Sequence, residues 1–557
     1  MASLKMRRAI FFVVFAALLV IAQHKPAYAT TTENGPIEDR LPDRAKKDTS
    51  PESAAPATTD VGTRVESAPF TLRAVVITGA TALDEAEIEN VASEFVGKSL
   101  TTDDLSRLAG RLTQAYRDRG FFLSRVIIPP QEIKGGKLTA RAIEGYVVAV
   151  KADGLSDDDA SAQFEALLAE RPANVATFER ALLLLSDRYS YRVDKPRLVP
   201  IEQAPGEFRL ELSVTWRPVT LELFADNRGT ARNGEDQLYT GVSWNSLLSA
   251  GDQLSASLFS SVANVPDTVF AELAYATPWA GGNFWTELGA STSAWQDPLY
   301  ANPTLGNFDS QKLWLRAFAP IMRTRERSIW LNLQVDARDA TRDDGFSPAR
   351  HEKLRTLRGS FSYAEVSDAS QANLNLQVSR GLDALGASQN GDTNLSREDS
   401  RPQFTKVRLS ASYFTELVDN WSVNLSAMAQ YADGSLPSSE QIYFGGARYG
   451  RGYDYDVTGG DNGWAASGEL RYTFNASILA MERAQLYVFA DAGRTRDVYR
   501  GTPGYESLFA SSAGGGVRLF ITQDLVATVE AALPIAYADS LDVNDTTRIF
   551  VSLSWWQ

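Results

Sequence analysis

Two patterns of hydrophobic residues divide the chain into two parts. Up to about residue 215, several segments carry apolar residues at every third or fourth position, which is the spacing of amphipathic helices. From about residue 216 onward, apolar and polar residues alternate; in 329–338, Ile, Leu, Leu, Val and Ala alternate with Trp, Asn, Gln, Asp and Arg. Alternation with a period of two is typical of strands that have one apolar face. The patterns predict a mixed α/β region followed by an all-β region.

The α/β region repeats one order of elements, strand, helix, helix, strand, strand. In the first copy, 69–145, these elements are predicted at 72–78, 84–95, 103–119, 123–128 and 137–144. In the second copy, 146–215, they are predicted at 147–151, 160–169, 177–189, 191–201 and 208–215. The pattern therefore predicts two small α+β domains with the order β-α-α-β-β. A single α/β domain over the same residues is the alternative.

The second helix of the first copy has the clearest signal. Thr101 or Thr102 is a suitable N-cap, and Gly120 is a suitable stop. The apolar stripe between them consists of Leu105, Leu108, Leu112 and Tyr116. We expect this stripe to face the core of its unit.

The alternating segments of the all-β region are about ten residues long and are separated by Gly, Asn, Asp and Ser. Strands of that length with one apolar face predict a transmembrane β-barrel, with lipid outside and water inside. A soluble β-sandwich also alternates, but its strands are usually about five or six residues long. Residues 216–557 fit about 16 antiparallel strands with their connections, and 14 or 18 strands are the alternatives.

The N-terminus predicts secretion. Three basic residues, Lys5, Arg7 and Arg8, precede the apolar run 9–22, and Ala27-Tyr28-Ala29 is a small-x-small cleavage site. This is the arrangement of a secretory signal peptide over 1–29, with an uncleaved anchor as the alternative. Residues 30–68 are rich in Thr, Pro, Ala, Ser and charged residues, and we interpret them as a disordered linker.

Composition excludes several kinds of chemistry. The 557 residues include no cysteine and two histidines, His24 and His351. His24 lies in the N-terminal segment that we predict is removed, which leaves His351 alone. Histidine-dependent catalytic triads, multi-histidine metal sites and thiol chemistry are therefore essentially excluded. The net charge is −14 and becomes 51 − 69 = −18 after removal of 1–29, which argues against nucleic acid as a partner. We expect no enzyme activity, no metal and no cofactor.

Motifs in both regions resemble those of one protein family. The first unit contains, in order, Tyr116, Gly120, Pro129, Pro130, Gln131, Glu144 and Gly145. The start of the all-β region contains Asp226, Asn227 and Gly229, and a later stretch reads Gly450, Arg451, Gly452 and Tyr453, followed by Phe489, Asp491 and Gly493. The ordered set resembles the two-partner secretion outer-membrane transporters (TpsB type) of the hemolysin secretion/activation family.

The resemblance implies two periplasmic polypeptide-transport-associated (POTRA) domains, at 69–145 and 146–215, before an outer-membrane barrel at 216–557. It implies export of a large unfolded exoprotein through the barrel, with POTRA domains that capture this client. Outer-membrane lipid and the barrel-assembly machinery are the other partners that it implies. An insertase that assembles other barrels and a porin-like channel are the competing functions, and the POTRA units could serve only as spacers.

The resemblance also implies that Arg451 lies at the tip of a loop folded into the barrel. Alternation in the strand around residue 488 places Tyr487, Phe489 and Asp491 in the lumen. A lumenal carboxylate can pair with a guanidinium in bidentate geometry. We therefore expect Arg451 and Asp491 to anchor the loop, and an exposed loop arginine is the alternative.

Overall fold

The structure is a computed structural model in which two small α+β units precede a closed β-barrel. It describes residues 69–230, 234–262, 268–296, 306–343, 349–455, 457–476, 481–498, 507–537 and 546–557. The predicted signal peptide and linker, 1–29 and 30–68, lie outside the described residues.

The first unit is a three-stranded sheet covered by two helices. Its elements are β1 (Phe70–Thr71), β2 (Ala74–Thr78), α1 (Glu85–Ser93), β3 (Ser99–Leu100), α2 (Thr102–Asp118), β4 (Arg125–Ile127) and β5 (Lys137–Ile143). The sheet order is β2-β5-β4, with β5 parallel to β2 and antiparallel to β4. The short β1–β3 ladder was not predicted, because two residues are too few to show a period.

Local sequence explains where the helices of this unit begin. Asp84 caps α1 and Thr101 caps α2, each in a capping box with the acidic residue three positions later. The predicted stripe of α2 is buried: Leu108, Leu112 and Tyr116 are fully inaccessible and Leu105 is nearly so. The stripe therefore forms the core of the first unit, as predicted.

The second unit repeats this topology. Its elements are β6 (Tyr146–Asp153), α3 (Asp157–Gln163), α4 (Glu165–Ala169), α5 (Val175–Ser186), β7 (Arg192–Pro200) and β8 (Glu207–Thr215), with the sheet order β6-β8-β7. The prediction of one helix over 160–169 was wrong, since two short helices meet at Phe164. Phe164 has the non-helical angles φ −108° and ψ 17°, and its side chain is fully buried in the core.

The barrel has sixteen strands in the described chain, and it closes where its last strand pairs with its first. Neighbouring strands are antiparallel throughout. The strands before the longest ordered loop are β9 (Val219–Asp226), β10 (Gln237–Asn245), β11 (Gln253–Ser261), β12 (Thr268–Trp279), β13 (Phe284–Gln296), β14 (Asn307–Arg323), β15 (Arg327–Asp343), β16 (Arg350–Val366), β17 (Ser370–Gly381), β18 (Thr405–Val418) and β19 (Trp421–Ala432).

The loop after β19 contains its own two-stranded ladder, β20 (Ile442–Phe444) with β21 (Thr458–Gly460). The barrel then continues with β22 (Asn462–Asn475), β23 (Arg483–Arg496), β24 (Leu508–Thr522), β25 (Leu525–Tyr537) and β26 (Arg548–Trp556). The predicted antiparallel barrel of about 16 strands is confirmed.

Exposure of the side chains follows the predicted alternation. On β15, the outward-pointing Leu331, Leu333 and Val335 are each about half exposed, whereas the neighbouring Asp336 points inward and is 2% exposed. On β23, Leu486 and Val488 point outward. Large apolar side chains on the outer face are what a lipid-facing barrel wall requires.

The second unit docks on the turns at one end of the barrel. Asp187, just after α5, accepts two hydrogen bonds of 2.8 Å from Arg323, at the end of β14. Glu179 accepts a hydrogen bond of 2.9 Å from Arg325, and the ring of Tyr189 meets that of Trp285 edge-on. These contacts fix the second unit directly beneath the barrel. Among the described helices, none is both long and apolar enough to cross a membrane.

Candidate functional site

The loop between β19 and β22, residues 433–461, folds into the barrel. Its ladder of β20 and β21 packs against β23, and its tip carries Arg451, which is 5% exposed. An arginine in a loop that faced the outside would be exposed to water. Burial of Arg451 among lumenal side chains therefore shows that the loop tip lies inside the barrel.

Arg451 is bound to Asp491 of β23 through three hydrogen bonds. Its Nη2 donates to Oδ1 over 3.0 Å, its Nε donates to Oδ2 over 3.1 Å, and its backbone N–H donates to Oδ2 over 2.9 Å. The guanidinium also lies over the ring of Phe489, 3.4 Å from the ring centre. The pairing is thus bidentate and combined with a cation–π contact, which gives it a defined geometry.

Two further carboxylates of the lumen wall approach Arg451. Its Nη1 lies 2.9 Å from Glu469 on β22 and 3.4 Å from Glu530 on β25. Both carboxylates have other partners: Arg518 donates to Glu469, and Tyr487 donates to Glu530 over 2.8 Å. The loop arginine therefore completes a network of lumenal charges, in which each carboxylate is shared with the barrel wall.

Glycines allow the loop tip to approach the wall closely. Gly450 has φ +82°, a conformation that glycine adopts without strain. The ring of the fully buried Phe444 lies between Gly450 and Gly493. A Cβ would lie 2.5 Å from that ring at Gly450 and 2.2 Å from it at Gly493. The ring of Phe444 therefore packs directly against Gly493 of β23. Phe444 is a loop residue that the motifs did not include.

The rest of the tip contacts β24 and β25. Gly452 lies against the backbone of Leu533 and Pro534. The hydroxyl of Tyr453 donates to the carbonyl of Ser511 over 3.0 Å and lies 2.9 Å from that of Ala536. All seven residues predicted for the loop and its receptor strand are therefore brought together in one place.

The barrel-start motif lies at the closure of the barrel. Asn227 bridges the first and last strands: its Oδ1 accepts from the backbone N–H of Val551, and its Nδ2 donates to the carbonyl of Ile549. Asp226 is buried and accepts from the backbone N–H of Arg228, and the backbone N–H of Gly229 donates to the carbonyl of Glu235. The motif therefore closes the barrel at the outer end of β9.

Arg228 connects this closure to the loop anchor. Its Nη2 donates to Glu530 over 2.6 Å, and Glu530 also faces Arg451. The barrel-start motif and the loop motif, which are more than 200 positions apart in the sequence, thus share one carboxylate.

The motif of the first unit forms a separate cluster, at the junction of the two units. The fully buried Tyr116 donates to Glu144 over 2.8 Å. Glu144 also accepts from the backbone N–H groups of Thr81 and Ala82, over 2.7 and 2.8 Å, and from the hydroxyl of Thr81. Burial alone would raise the pKa of Glu144, but these hydrogen bonds to the ionised carboxylate lower it below its usual value.

Two glycines let the units meet at this junction. Gly120 has φ +85° and its carbonyl accepts from the backbone N–H of Val175, the first residue of α5. Gly145 lies so close to Leu123 that a Cβ would be 2.5 Å from its carbonyl oxygen. The side chain of Leu123 belongs to the core of the second unit. The motif residues therefore set how one unit joins the next.

The remaining motif residues lie apart from that junction, in the loop before β5. The side chain of Gln131 donates to the carbonyls of Pro129 and Thr139 and accepts from the backbone N–H of Thr139. Pro130 lies between Pro129 and Gln131 in the sequence. These hydrogen bonds fasten the loop to β5.

Sequence reasoning missed four residues that complete the loop site, namely Phe444, Glu469, Glu530 and Arg518. Glu469 and Glu530 occupy inward-facing positions of strands in which inward and outward side chains alternate. This alternation could have placed both residues in the lumen. It could not have placed them beside Arg451. Within the described residues, no group of three or more His, Cys, Asp or Glu side chains has a geometry that would hold a metal ion.

POTRA-type units beneath a sixteen-stranded membrane barrel, with a loop bound inside it, define an outer-membrane protein transporter. Residues 209–519 match the family described as haemolysin secretion/activation protein ShlB/FhaC/HecB, and residues 70–145 match the ShlB-type POTRA domain. The chain belongs to the haemolysin secretion/activation family. Its barrel lies in the outer membrane and its POTRA units in the periplasm, and it transports protein in the two-partner manner of that family.

Curated relatives and a solved structure agree with this family. The outer membrane transporter CdiB of Dickeya dadantii is 24% identical over 72% of this chain and 72% of its own length. The hemolysin transporter protein HpmB of Proteus mirabilis is 23% identical over 87% of this chain and 86% of its own. The structure of CdiB from Escherichia coli superposes with a TM-score of 0.72 at 21% identity, over 92% of this chain and 94% of that chain.

Proposed function

We propose that the client of this transporter is a large exoprotein that crosses the barrel lumen unfolded, and that the inward-folded loop closes the lumen between export events. The observation that carries the proposal is the position of Arg451. It lies inside the barrel that family members use for transport, bound to a carboxylate of the wall. A pore filled by a loop cannot also hold a polypeptide, so the loop has to move for export.

The exposed edges of the two POTRA sheets are suitable for capture of an extended client. Among the described strands, β2 and β4 each pair with β5 alone in their sheet, and β6 and β7 each pair with β8 alone. An extended chain can add to such an edge through main-chain hydrogen bonds, which require little sequence specificity. This mode of capture would suit a client that has not yet folded.

The role of the anchor is tested by export assays of Arg451→Ala and Asp491→Ala. We expect both variants to lose most export at normal barrel levels, because each removes one partner of a buried charge pair. Arg380→Ala is the matched control, since Arg380 is 53% exposed and lies 4.0 Å from its acidic partner Asp433. Export at the wild-type level by both anchor variants would contradict the role.

The function itself is tested by deleting the gene and comparing the culture supernatant, the surface proteins and the outer-membrane barrels. Loss of one large exoprotein supports the proposal. Broad loss of barrels would instead indicate an insertase, and unchanged exoproteins would indicate a channel without a protein client. Two POTRA units rather than a longer series favour secretion over assembly of other barrels.

The other partners that we propose are the barrel-assembly machinery, which acts during biogenesis, and outer-membrane lipid. The last strand, β26, has apolar residues at every second position, Ile549, Val551, Leu553 and Trp555, and pairs with both β25 and β9. A strand of this kind suits recognition by the barrel-assembly machinery, and the outward leucines and valines suit outer-membrane lipid.

A further inference from the structure

A second buried cluster of charges holds the same loop at a different point. We call it the stem cluster; it consists of Asp336 on β15, Arg358 on β16, Lys406 on β18 and Glu440 in the loop, just before β20. Asp336, Lys406 and Glu440 are each no more than 5% exposed. Burial of this kind is rare for charged side chains unless they are paired with one another.

Arg358 connects the wall to the loop. Its Nε donates to Asp336 over 2.7 Å, while its Nη2 and Nη1 donate to the two carboxylate oxygens of Glu440 over 2.6 and 3.1 Å. The guanidinium thus binds a wall carboxylate on one edge and the loop carboxylate on another. This geometry is the fork that guanidinium groups form with carboxylates.

Lys406 binds Glu440 from a second strand. Its Nζ lies 2.6 Å from the carboxylate and donates to the backbone carbonyl of the same residue over 2.7 Å. The side chain of Gln430 donates to that carbonyl as well, over 3.0 Å. The cluster therefore fixes both the side chain and the backbone of Glu440, and its two cations balance its two carboxylates.

The stem cluster and the Arg451 cluster bind different parts of the loop and different parts of the wall. At the stem, the loop contributes an acid to cations on β16 and β18. At the tip, the loop contributes a cation to acids on β22, β23 and β25. The ion pairs of the stem and those of the tip share no residue, and the loop contributes a negative charge to the first and a positive charge to the second.

We propose that Glu440 is a second positioning residue of the loop and that the two clusters release it in separate steps, the tip by loss of the Arg451 contacts and the stem by loss of the Glu440 contacts. This inference rests on the proposed function of the loop as the closure of the lumen. Separate release lets a client open the lumen by breaking one set of buried ion pairs at a time, instead of all of them together.

The absence of cysteine from the chain makes the steps measurable one by one. Ala510→Cys places a thiol beneath the tip, where Ala510 is fully buried in the cluster that contains Phe444 and Tyr453. Ser379→Cys places one beside the stem, where Ser379 is 1% exposed and accepts from Arg358 over 3.3 Å. Each reporter is the single thiol of its protein, and its reaction with a maleimide follows local opening.

The experiment measures maleimide labelling of both reporters in the purified full-length protein, in the presence of Glu440→Gln, Arg451→Ala or both. We expect Glu440→Gln to speed labelling at position 379 by about tenfold or more and to leave position 510 slow, since only the local opening changes. We expect Arg451→Ala to do the reverse, and the double variant to speed both. Glu416→Gln, at an exposed position near the periplasmic end of β18, is the matched control.

Crossed labelling of this kind is not what general destabilisation of the barrel would produce. Equal acceleration at both positions by Glu440→Gln would overturn the inference of separate steps, and no acceleration at position 379 would overturn the role of Glu440. Because labelling does not depend on a client, either failure is distinguishable from failure of the proposed export function.

Discussion

The junction cluster of the POTRA units and the loop cluster of the barrel both hold a carboxylate, but they hold it with different kinds of partner. Glu144 accepts from Tyr116, Thr81 and Ala82, all of them neutral donors that belong to the folded unit. Asp491 accepts from Arg451, a charged donor that a loop brings to it. The first carboxylate has partners within one folded unit, and the second belongs to a contact between the barrel wall and the inward-folded loop.

This difference predicts how each cluster fails. The donors of Glu144 are the fully buried Tyr116 of α2 and two residues of the turn before α1, so loss of Glu144 should reduce the stability of the first unit. The donor of Asp491 belongs to a loop whose strands β20 and β21 form a ladder of their own, outside the closed sixteen-stranded wall. Loss of Asp491 should therefore change the lumen rather than the wall. Two motifs that are equally visible in the sequence therefore have different consequences.

The largest effect expected is that of Glu144→Ala on the first unit. It leaves the buried hydroxyl of Tyr116 and two backbone N–H groups without their acceptor, which should cost about 3 kcal/mol of unfolding free energy. Hydrogen exchange of peptides from α2, measured by mass spectrometry on the full-length protein, should show the loss. Glu94→Ala is the control, because Glu94 is 52% exposed in its pair with Arg111 and should change exchange very little.

Gly493→Ala should have the next largest effect, and on the loop alone. The added methyl group would lie 2.2 Å from the ring of Phe444, which is fully buried. Overpacking of this kind costs about 2 kcal/mol, here in docking of the loop. Peptides from β20 should exchange faster than in the wild type, while Gly359→Ala, where a Cβ meets nothing within 4 Å, should not alter them. Unchanged hydrogen exchange in β20 would mean that Phe444 does not pack against Gly493.

Tyr116→Phe should have a smaller effect than Glu144→Ala, because it removes one of the donors and leaves the others in place. We expect a loss of about 1 kcal/mol, the usual contribution of one hydrogen bond. The same exchange measurement on α2 gives the value. A loss as large as that of Glu144→Ala would show that the hydroxyl, rather than the set of donors, fixes the carboxylate.

The smallest effect expected is a dependence on pH confined to the first unit. The pKa of Glu144 is lower in the folded unit than in the unfolded chain, so its stabilisation is fully present above about pH 4.5 and is lost as the pH falls through the folded-state value. Exchange of α2 should therefore accelerate more on acidification in the wild type than in Glu144→Gln, after correction for intrinsic rates. Equal acceleration in the two proteins would exclude Glu144 as the cause.

Features that follow from a local period could be predicted from the sequence. Alternation gave the lumenal positions of Tyr487 and Asp491, and the helical period gave the buried stripe of α2. Phe164 broke a predicted helix because burial of its ring in the core is a tertiary effect that the local pattern does not contain.

The partners of the loop could be predicted only in part. Arg451 and Asp491 came from the family resemblance together with strand parity. Glu469 and Glu530 lie next to Arg451 only because of the register in which β22 to β25 pair with one another. That register depends on contacts between residues far apart in the sequence. Glu440 and Arg358 were missed for the same reason.

The most direct test of the account is the ion conductance of the purified protein in planar lipid bilayers. We predict that Arg451→Ala raises the mean conductance several-fold over the wild type, since release of the loop tip opens part of the lumen, and that Glu144→Ala leaves it unchanged. Equal conductance of the wild type and Arg451→Ala, with both proteins inserted in equal amounts, would contradict the claim that this loop closes the barrel.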